Sequence, residues 1–220
     1  EVPSRGLGDV YKRQEEMNSL FKSLVVFVFT TNIMGMHAHG GGHMKGNSAD
    51  WEIETYTTAA PDFIGDFATV VSASGEVLRE GTNGWTCLPF IPMPKMGYKS
   101  ANEAAPACAD ANAVAWADAY INKTKPEIEN DGWIWMIHGD TGVDNFRPYS
   151  EGDKENTAPE DWIYSGSHLM LMPKDPASLE GVSTDFTTGA PYVMMEGTPF
   201  VHLMIPLEGY YKYQPESAPK

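Results

Sequence analysis

The chain lacks the short motifs that mark the common enzyme classes. It contains no G-x-S-x-G turn, no H-E-x-x-H helix, no phosphate-binding glycine loop and no dinucleotide fingerprint. These absences remove the usual sequence support for a hydrolase, a metalloprotease or a nucleotide-dependent enzyme. They leave an unfamiliar enzyme open.

Basic residues are scarce. The 220 residues include 15 Lys and Arg against 30 Asp and Glu, which gives a formal net charge of -15. A surface this acidic repels phosphate backbones and anionic membranes, so we expect no nucleic acid partner. Cations are better candidate partners. Adaptation to a salt-rich environment explains the same acidity through solvation alone.

Cysteine is almost absent, with Cys87 and Cys108 as the two examples. In an exported protein, such a pair most simply forms a disulfide. A soft metal site that uses one or both thiolates is the alternative. Against that alternative, the chain has no C-x-x-C motif and no histidine between the two cysteines.

Long hydrophobic runs are also missing, and we therefore expect no membrane span. Residues 1–16 are set aside as upstream sequence, because Asp9–Gln14 resembles a translated sequencing-library adapter. Residues 17–38 have the pattern of a secretory signal peptide, with cleavage after Gly35 or Ala38. The predicted location is periplasmic or extracellular. The remainder divides into a flexible segment (39–50), one β-rich domain (51–208) and a C-terminal tail (209–220).

Short apolar runs separated by turn residues predict a mainly β fold. We expect an antiparallel barrel or sandwich with one packed α-helix over Pro106–Asn122, where small residues recur at helical spacing. Asn83-Gly84 predicts a hairpin turn. The predicted strands are Trp51–Tyr56, Ala68–Ala73, Glu76–Gly81, Trp85–Leu88, Trp133–His138, Ser167–Met172, Tyr192–Met195 and Phe200–Leu207.

Two His-x-Met pairs are the feature of the sequence closest to chemistry. His168 with Met170, and His202 with Met204, each lie in a predicted strand, where residues two apart share a face. His138 ends a third such strand. Three such faces brought together could surround one ion, and imidazole with thioether favours copper, especially Cu(I). The alternative is that these side chains fill the interior, with each imidazole hydrogen-bonded to the backbone.

The repeated His-x-Met, beside His43-Met44, resembles the ligand set of small periplasmic copper chaperones with cupredoxin-like barrels. From that resemblance His168, Met170, His202 and Met204 are carried over as candidate copper ligands. A broader likeness covers about residues 62–206. The segments Arg79–Cys87, Gly166–Met170 and Gly197–Met204 are similar to a group of uncharacterised exported bacterial proteins. That likeness implies a single exported domain and no particular activity, and His138 lies outside its motifs.

Three functional hypotheses follow. The first is an exported soluble protein that binds copper or another soft metal without turnover. The second is a secreted copper-dependent oxidase or monooxygenase in which cleavage after Ala38 makes His39 the amino terminus. The third is a metal-free binding or structural module of the cell envelope, with another envelope protein as its partner.

Overall fold

The computed structural model describes residues 48–220. The predicted upstream sequence, signal peptide and His39 lie outside the described residues, as does most of the predicted flexible segment. The described strands are β1 Thr69–Val71, β2 Val77–Arg79, β3 Thr86–Pro89, β4 Pro106–Ala109, β5 Gly132–Met136, β6 Val143–Asp144, β7 Trp162–Ile163, β8 His168–Met172, β9 Tyr192–Met194 and β10 His202–Pro206.

The described helices are short. They are α1 Ala49–Thr57, α2 Asp62–Gly65, α3 Ala101–Ala104 and α4 Ala111–Ile121, with 3₁₀ helices at Lys154–Asn156, Pro176–Leu179, Phe186–Thr188, Tyr210–Tyr213 and Pro215–Ser217. Within residues 48–220, none is long and apolar enough to cross a bilayer. The last two 3₁₀ helices lie in the predicted C-terminal tail, where Tyr210 is buried.

Eight strands form one sheet in the order β2-β1-β3-β4-β5-β8-β10-β9, and β6 pairs with β7 in a small second sheet. Only the β1–β3 pair is parallel among the strand pairs of the described residues. The mainly β prediction is confirmed. The large sheet is open, with β2 and β9 at its edges, so the sandwich form fits and the closed barrel does not.

The predicted strand Trp51–Tyr56 is wrong, because these residues belong to helix α1. Ser48 caps the helix, with its Oγ accepting a hydrogen bond from Trp51 N. Tyr56 then donates to the carboxylate of Glu52, one helical turn earlier, at 2.9 Å. The alternation of apolar and acidic residues favoured a strand, whereas the serine cap and the acidic first turn are the signals of a helix.

The helix predicted over Pro106–Asn122 begins too early. Its first four residues form strand β4, and α4 starts at Ala111. Asp110 is the cap, with its Oδ1 accepting from Ala113 N at 2.9 Å. Proline suited the first turn of a helix, but here it begins a strand that is buried on both faces.

The turns on either side of β2 have different outcomes. A hairpin around Ser74-Gly75 joins β1 and β2, which pair antiparallel as neighbouring predicted strands. The hairpin predicted at Asn83-Gly84 is wrong, because β3 crosses over and pairs in parallel with β1. Asn83 Nδ2 donates to the carbonyl of Ile64 at 2.9 Å, which holds this turn against α2 instead.

The Cys87–Cys108 disulfide is confirmed, with the two residues directly opposite each other on β3 and β4. The side chains of alternate residues of β4 point to opposite faces of the sheet. Cys108 belongs to the core beneath α1, whereas Ala107 and Ala109 belong to the core beneath α4. The face beneath α4 carries the candidate site.

Candidate functional site

A cavity of about 310 Å³ lies between one face of the large sheet, helix α4 and the adjoining loops. Strands β5, β8, β9 and β10 supply its floor. Its lining includes both His-x-Met pairs in full: His168, Met170, His202 and Met204. The other floor residues are Ile134, Met136, Met172, Met194 and the adjoining Met195.

The pairing register fixes which floor residues are neighbours. Met170 on β8 lies opposite Met204 on β10. His202 lies opposite Met194 on β9, and the same β8–β10 register continued by one residue places it opposite Met172. One row across three strands therefore contains one imidazole between two thioethers. We call Met172, His202 and Met194 the His202 row.

The imidazole of His202 is held in a fixed orientation. Its Nδ1 lies 2.9 Å from the carbonyl oxygen of Phe200, so the Nδ1–H donates to the backbone. Trp116 from α4 packs edge-on against the same ring, with 5.5 Å between centroids. Because Nδ1 carries the proton and donates it to the backbone carbonyl, Nε2 is unprotonated. Its lone pair can bind a group in the cavity.

His168 repeats this arrangement at a different level of the sheet. Its Nδ1 lies 2.6 Å from the carbonyl oxygen of Gly166, and its partner on β5 is Met136. Gly166 is packed too tightly for a side chain, since a Cβ there would lie 2.3 Å from the carbonyl oxygens of Gly209 and Tyr210. Glycine thus brings the chain close enough to fix the acceptor that orients His168.

Both cavity histidines are neutral at neutral pH. Burial lowers the pKa of His168 and of His202 to about 4 in each case. No residue of the described chain gives either Nε2 a hydrogen bond. Each Nε2 can therefore accept a hydrogen bond from a ligand in the cavity or coordinate a metal ion there.

The register separates the two histidines. His168 lies opposite Pro206, four residues along β10 from His202. At about 3.4 Å per residue, that offset is about 14 Å along the strand. This offset is between backbone positions; the imidazole of His202 still contributes to the lowered pKa of His168, so the two side chains interact across the floor. We call the parts of the cavity around the two residues the His202 end and the His168 end.

Asp140 lies near the His168 end. Its Oδ1 accepts from the backbone N–H groups of Gly142 and Ser165, at 2.9 and 3.3 Å. Burial raises the pKa of Asp140 to about 7 despite these hydrogen bonds. A second acid, Glu151, also lines the cavity and accepts a hydrogen bond from the Tyr120 hydroxyl at 2.8 Å.

An aromatic wall faces the sheet. Trp116 and Tyr120 stack with 5.6 Å between ring centroids, and Tyr149 packs on Tyr120 at 4.8 Å. The Tyr120 hydroxyl also accepts from Tyr149 N at 2.6 Å. All three rings line the cavity, so its walls are apolar and aromatic while its floor is rich in methionine.

His138 lies apart from the other predicted ligands. It follows the end of β5 and does not line the cavity within the described residues. Its Nε2 lies 2.8 Å from the Thr58 hydroxyl, and burial is the main cause of its lowered pKa. The structure thus groups four of the five predicted metal ligands around one cavity.

The sequence analysis did not single out Met194 or Trp116 as site residues. Met194 lies in a correctly predicted strand, but its place beside His202 depends on a strand order that alternation does not reveal. The glycines that flank Asp140, at positions 139 and 142, were the available signal for a tight polar turn at this point.

Comparison with protein-family models, curated proteins and solved structures gave no match. Within residues 48–220, no group of three or more His, Cys, Asp or Glu side chains is arranged to hold a metal ion.

Proposed function

We propose that the protein binds a soft transition-metal ion, best Cu(I), at the His202 end of the cavity, without turnover. The observation that supports this proposal is the His202 row, in which Met172 and Met194 flank a neutral imidazole on adjacent strands. Neighbouring strands are about 4.8 Å apart, a spacing that flexible thioethers can close around one ion.

The chemistry of these donors selects the metal. Thioether sulfur is soft and binds Cu(I) in preference to magnesium, calcium or manganese, which favour oxygen. The hydrogen bond from Nδ1 to the Phe200 carbonyl fixes the tautomer and leaves Nε2 as the donor, as in established metal-binding histidines. Met204, two residues from His202 on the same face, is a third thioether within reach.

We further propose that the protein works in an oxidising compartment, periplasmic or extracellular. The Cys87–Cys108 disulfide supports this location, because such bonds persist outside the reducing cytosol. The oxidase hypothesis stays a prediction, since His39 lies outside the described residues. If no metal binds, the hypothesis that remains is a metal-free binding or structural module of the cell envelope.

Competition titration of Cu(I) against a chromophoric chelator tests the proposal. Ascorbate, rather than a thiol, keeps the copper reduced and the disulfide intact. We expect one equivalent of Cu(I) in the wild-type protein. His202→Ala should weaken binding by more than the about 10- to 100-fold that loss of an outer-shell partner costs. Met172→Leu/Met194→Leu should weaken Cu(I) more than Cu(II), because it removes sulfur at nearly constant volume.

Two matched controls are available in the same chain. His138→Ala removes a histidine outside the cavity, and Met96→Leu removes a methionine that is 91% exposed. Both should bind Cu(I) as the wild type does. Equal Cu(I) affinity in His202→Ala and His138→Ala would refute the assignment. Absence of Cu(I) binding by the wild-type protein would favour the metal-free module.

A further inference from the structure

The cavity is larger than one metal ion needs. At about 310 Å³ it reaches the lower range of pockets for small organic molecules. An ion in the His202 row would occupy one end of it. The space against Met136, Ile134 and the aromatic wall would remain, and a mostly apolar lining with a few polar groups is typical of small-molecule sites.

The polar groups at the other end are acceptors. His168 lines the cavity and is 1% exposed, and no described residue gives its Nε2 a hydrogen bond. Asp140 adds a carboxyl group near His168, and Glu151 adds another beside Tyr120 of the aromatic wall. Among the described residues, no lysine or arginine lines the cavity. A ligand that completes this set must donate hydrogen bonds, and a positive charge matches it best.

The aromatic wall suits the same ligand. The faces of Trp116, Tyr120 and Tyr149 attract cations through their ring electrons. Lys123 Nζ, which does not line the cavity, already lies 5.0 Å from the centroid of the Tyr149 ring. The net charge of -15 also favours capture of a cation from solution.

From these observations we propose that the cavity binds a small organic cation, an apolar amine whose ammonium group donates to His168 Nε2 and to the Asp140 carboxylate. The apolar part of the amine lies against Ile134, Met136 and the aromatic wall. The ammonium group contacts none of the three residues of the His202 row, so the proposal does not require a metal there. The Asp140–His168 end supplies the charge recognition, and the floor and wall supply the apolar contact.

Three probes of similar shape and different charge test this assignment on metal-free protein with a chelator present. They are 2-phenylethylamine, 2-phenylethanol and phenylacetate, measured by isothermal titration calorimetry. Burial raises the pKa of Asp140 to about 7. The titrations are therefore run at about pH 8, where this carboxyl group is ionised. We expect the amine to bind at least about tenfold more tightly than the alcohol, and phenylacetate to bind weakest.

Variants locate the ammonium group. Asp140→Asn and His168→Ala should each weaken the amine by about 10- to 100-fold, the value of a hydrogen bond to a charged group. Glu127→Gln removes an equal charge from an exposed loop position outside the cavity and should leave the affinity unchanged. Because the titrations use metal-free protein with a chelator present, their outcome does not depend on Cu(I) binding in the His202 row.

Two results would overturn the proposal. One is wild-type protein that binds phenylacetate as tightly as the amine, or binds none of the three probes. The other is amine affinity that is the same in Asp140→Asn, His168→Ala and Glu127→Gln. Near-ultraviolet circular dichroism establishes that each variant is folded. If a variant fails to fold, the probe series on the wild-type protein still decides.

Discussion

Mild acidification should destabilise the protein through its two buried histidines. Burial lowers the pKa of His168 and His202 from 6.5 to about 4. Each therefore contributes stability that is present above pH 6.5 and is lost as the pH falls toward 4, because only the unfolded chain binds the proton there. Between about pH 6 and pH 5, unfolding takes up about one proton at each histidine.

Asp140 acts in the opposite direction. Burial raises its pKa from 3.8 to about 7, so the folded protein holds a proton on this carboxyl that the unfolded chain releases. Its contribution is complete below pH 3.8 and is lost as the pH rises through 7. In the same window, acidification therefore favours folding through Asp140 and opposes it through the two histidines. Unfolding between pH 6 and pH 5 therefore has a net uptake of about one proton.

These three groups set the size of the effect. One proton is worth about 1.4 kcal/mol per pH unit. Through these three groups, the wild-type free energy of unfolding should fall by about 1 kcal/mol between pH 6 and pH 5, and that of Asp140→Asn by about 2 kcal/mol. His168→Gln/His202→Gln should instead gain about 1 kcal/mol through Asp140. The lowered pKa of His138 adds the same loss to all three proteins and leaves their differences unchanged.

Urea unfolding of the metal-free, disulfide-bonded protein measures these differences. Tryptophan fluorescence follows the transition at the two pH values, and constant m-values establish that only stability has changed. A double histidine variant with the same pH dependence as the wild-type protein would show that the imidazoles are not buried in the neutral form. The environments described for His168 and for His202 would then both be wrong.

Three further changes have defined outcomes. Cys87→Ser/Cys108→Ser should lower the free energy of unfolding by about 3 kcal/mol, measured in urea, because the disulfide closes a loop with a sequence separation of 21; peptide mapping should find the two cysteines joined. Gly166→Ala should lower the thermal midpoint and weaken amine binding, because its Cβ would clash with backbone carbonyls. Tyr120→Phe should cost about 1–3 kcal/mol in urea by leaving Tyr149 N without its acceptor.

Local patterns were sufficient for the strands that form the cavity floor. The predictions of strands at Trp133–His138, Ser167–Met172, Tyr192–Met195 and Phe200–Leu207 are confirmed within a few residues. In these segments, the apolar composition and the turn residues at the ends favour a strand, and the folded protein buries a strand there. The sharing of one face by each His-x-Met pair follows directly from strand geometry, and both pairs line the cavity.

Local patterns failed where two structures fit the same residues. The segment Trp51–Tyr56 alternates like a strand, yet its serine cap and tertiary packing favour α1. The small residues after Pro106 suit a helix, but Cys108 must lie opposite Cys87 on a neighbouring strand, so β4 precedes the helix. In the second case the deciding interaction joins residues distant in sequence, and propensity cannot account for it.

The composition of the candidate site depends on strand register, which alternation constrains only in part. A slip of one residue between β8 and β10 would turn the whole floor outward, so the hydrophobic pattern excludes it. A slip of two residues would keep every side chain on its present face. It would, however, place His202 opposite Met170 rather than Met172. The sequence therefore predicts that imidazole and thioether share a face, whereas only the folded sheet determines which methionines lie beside each histidine.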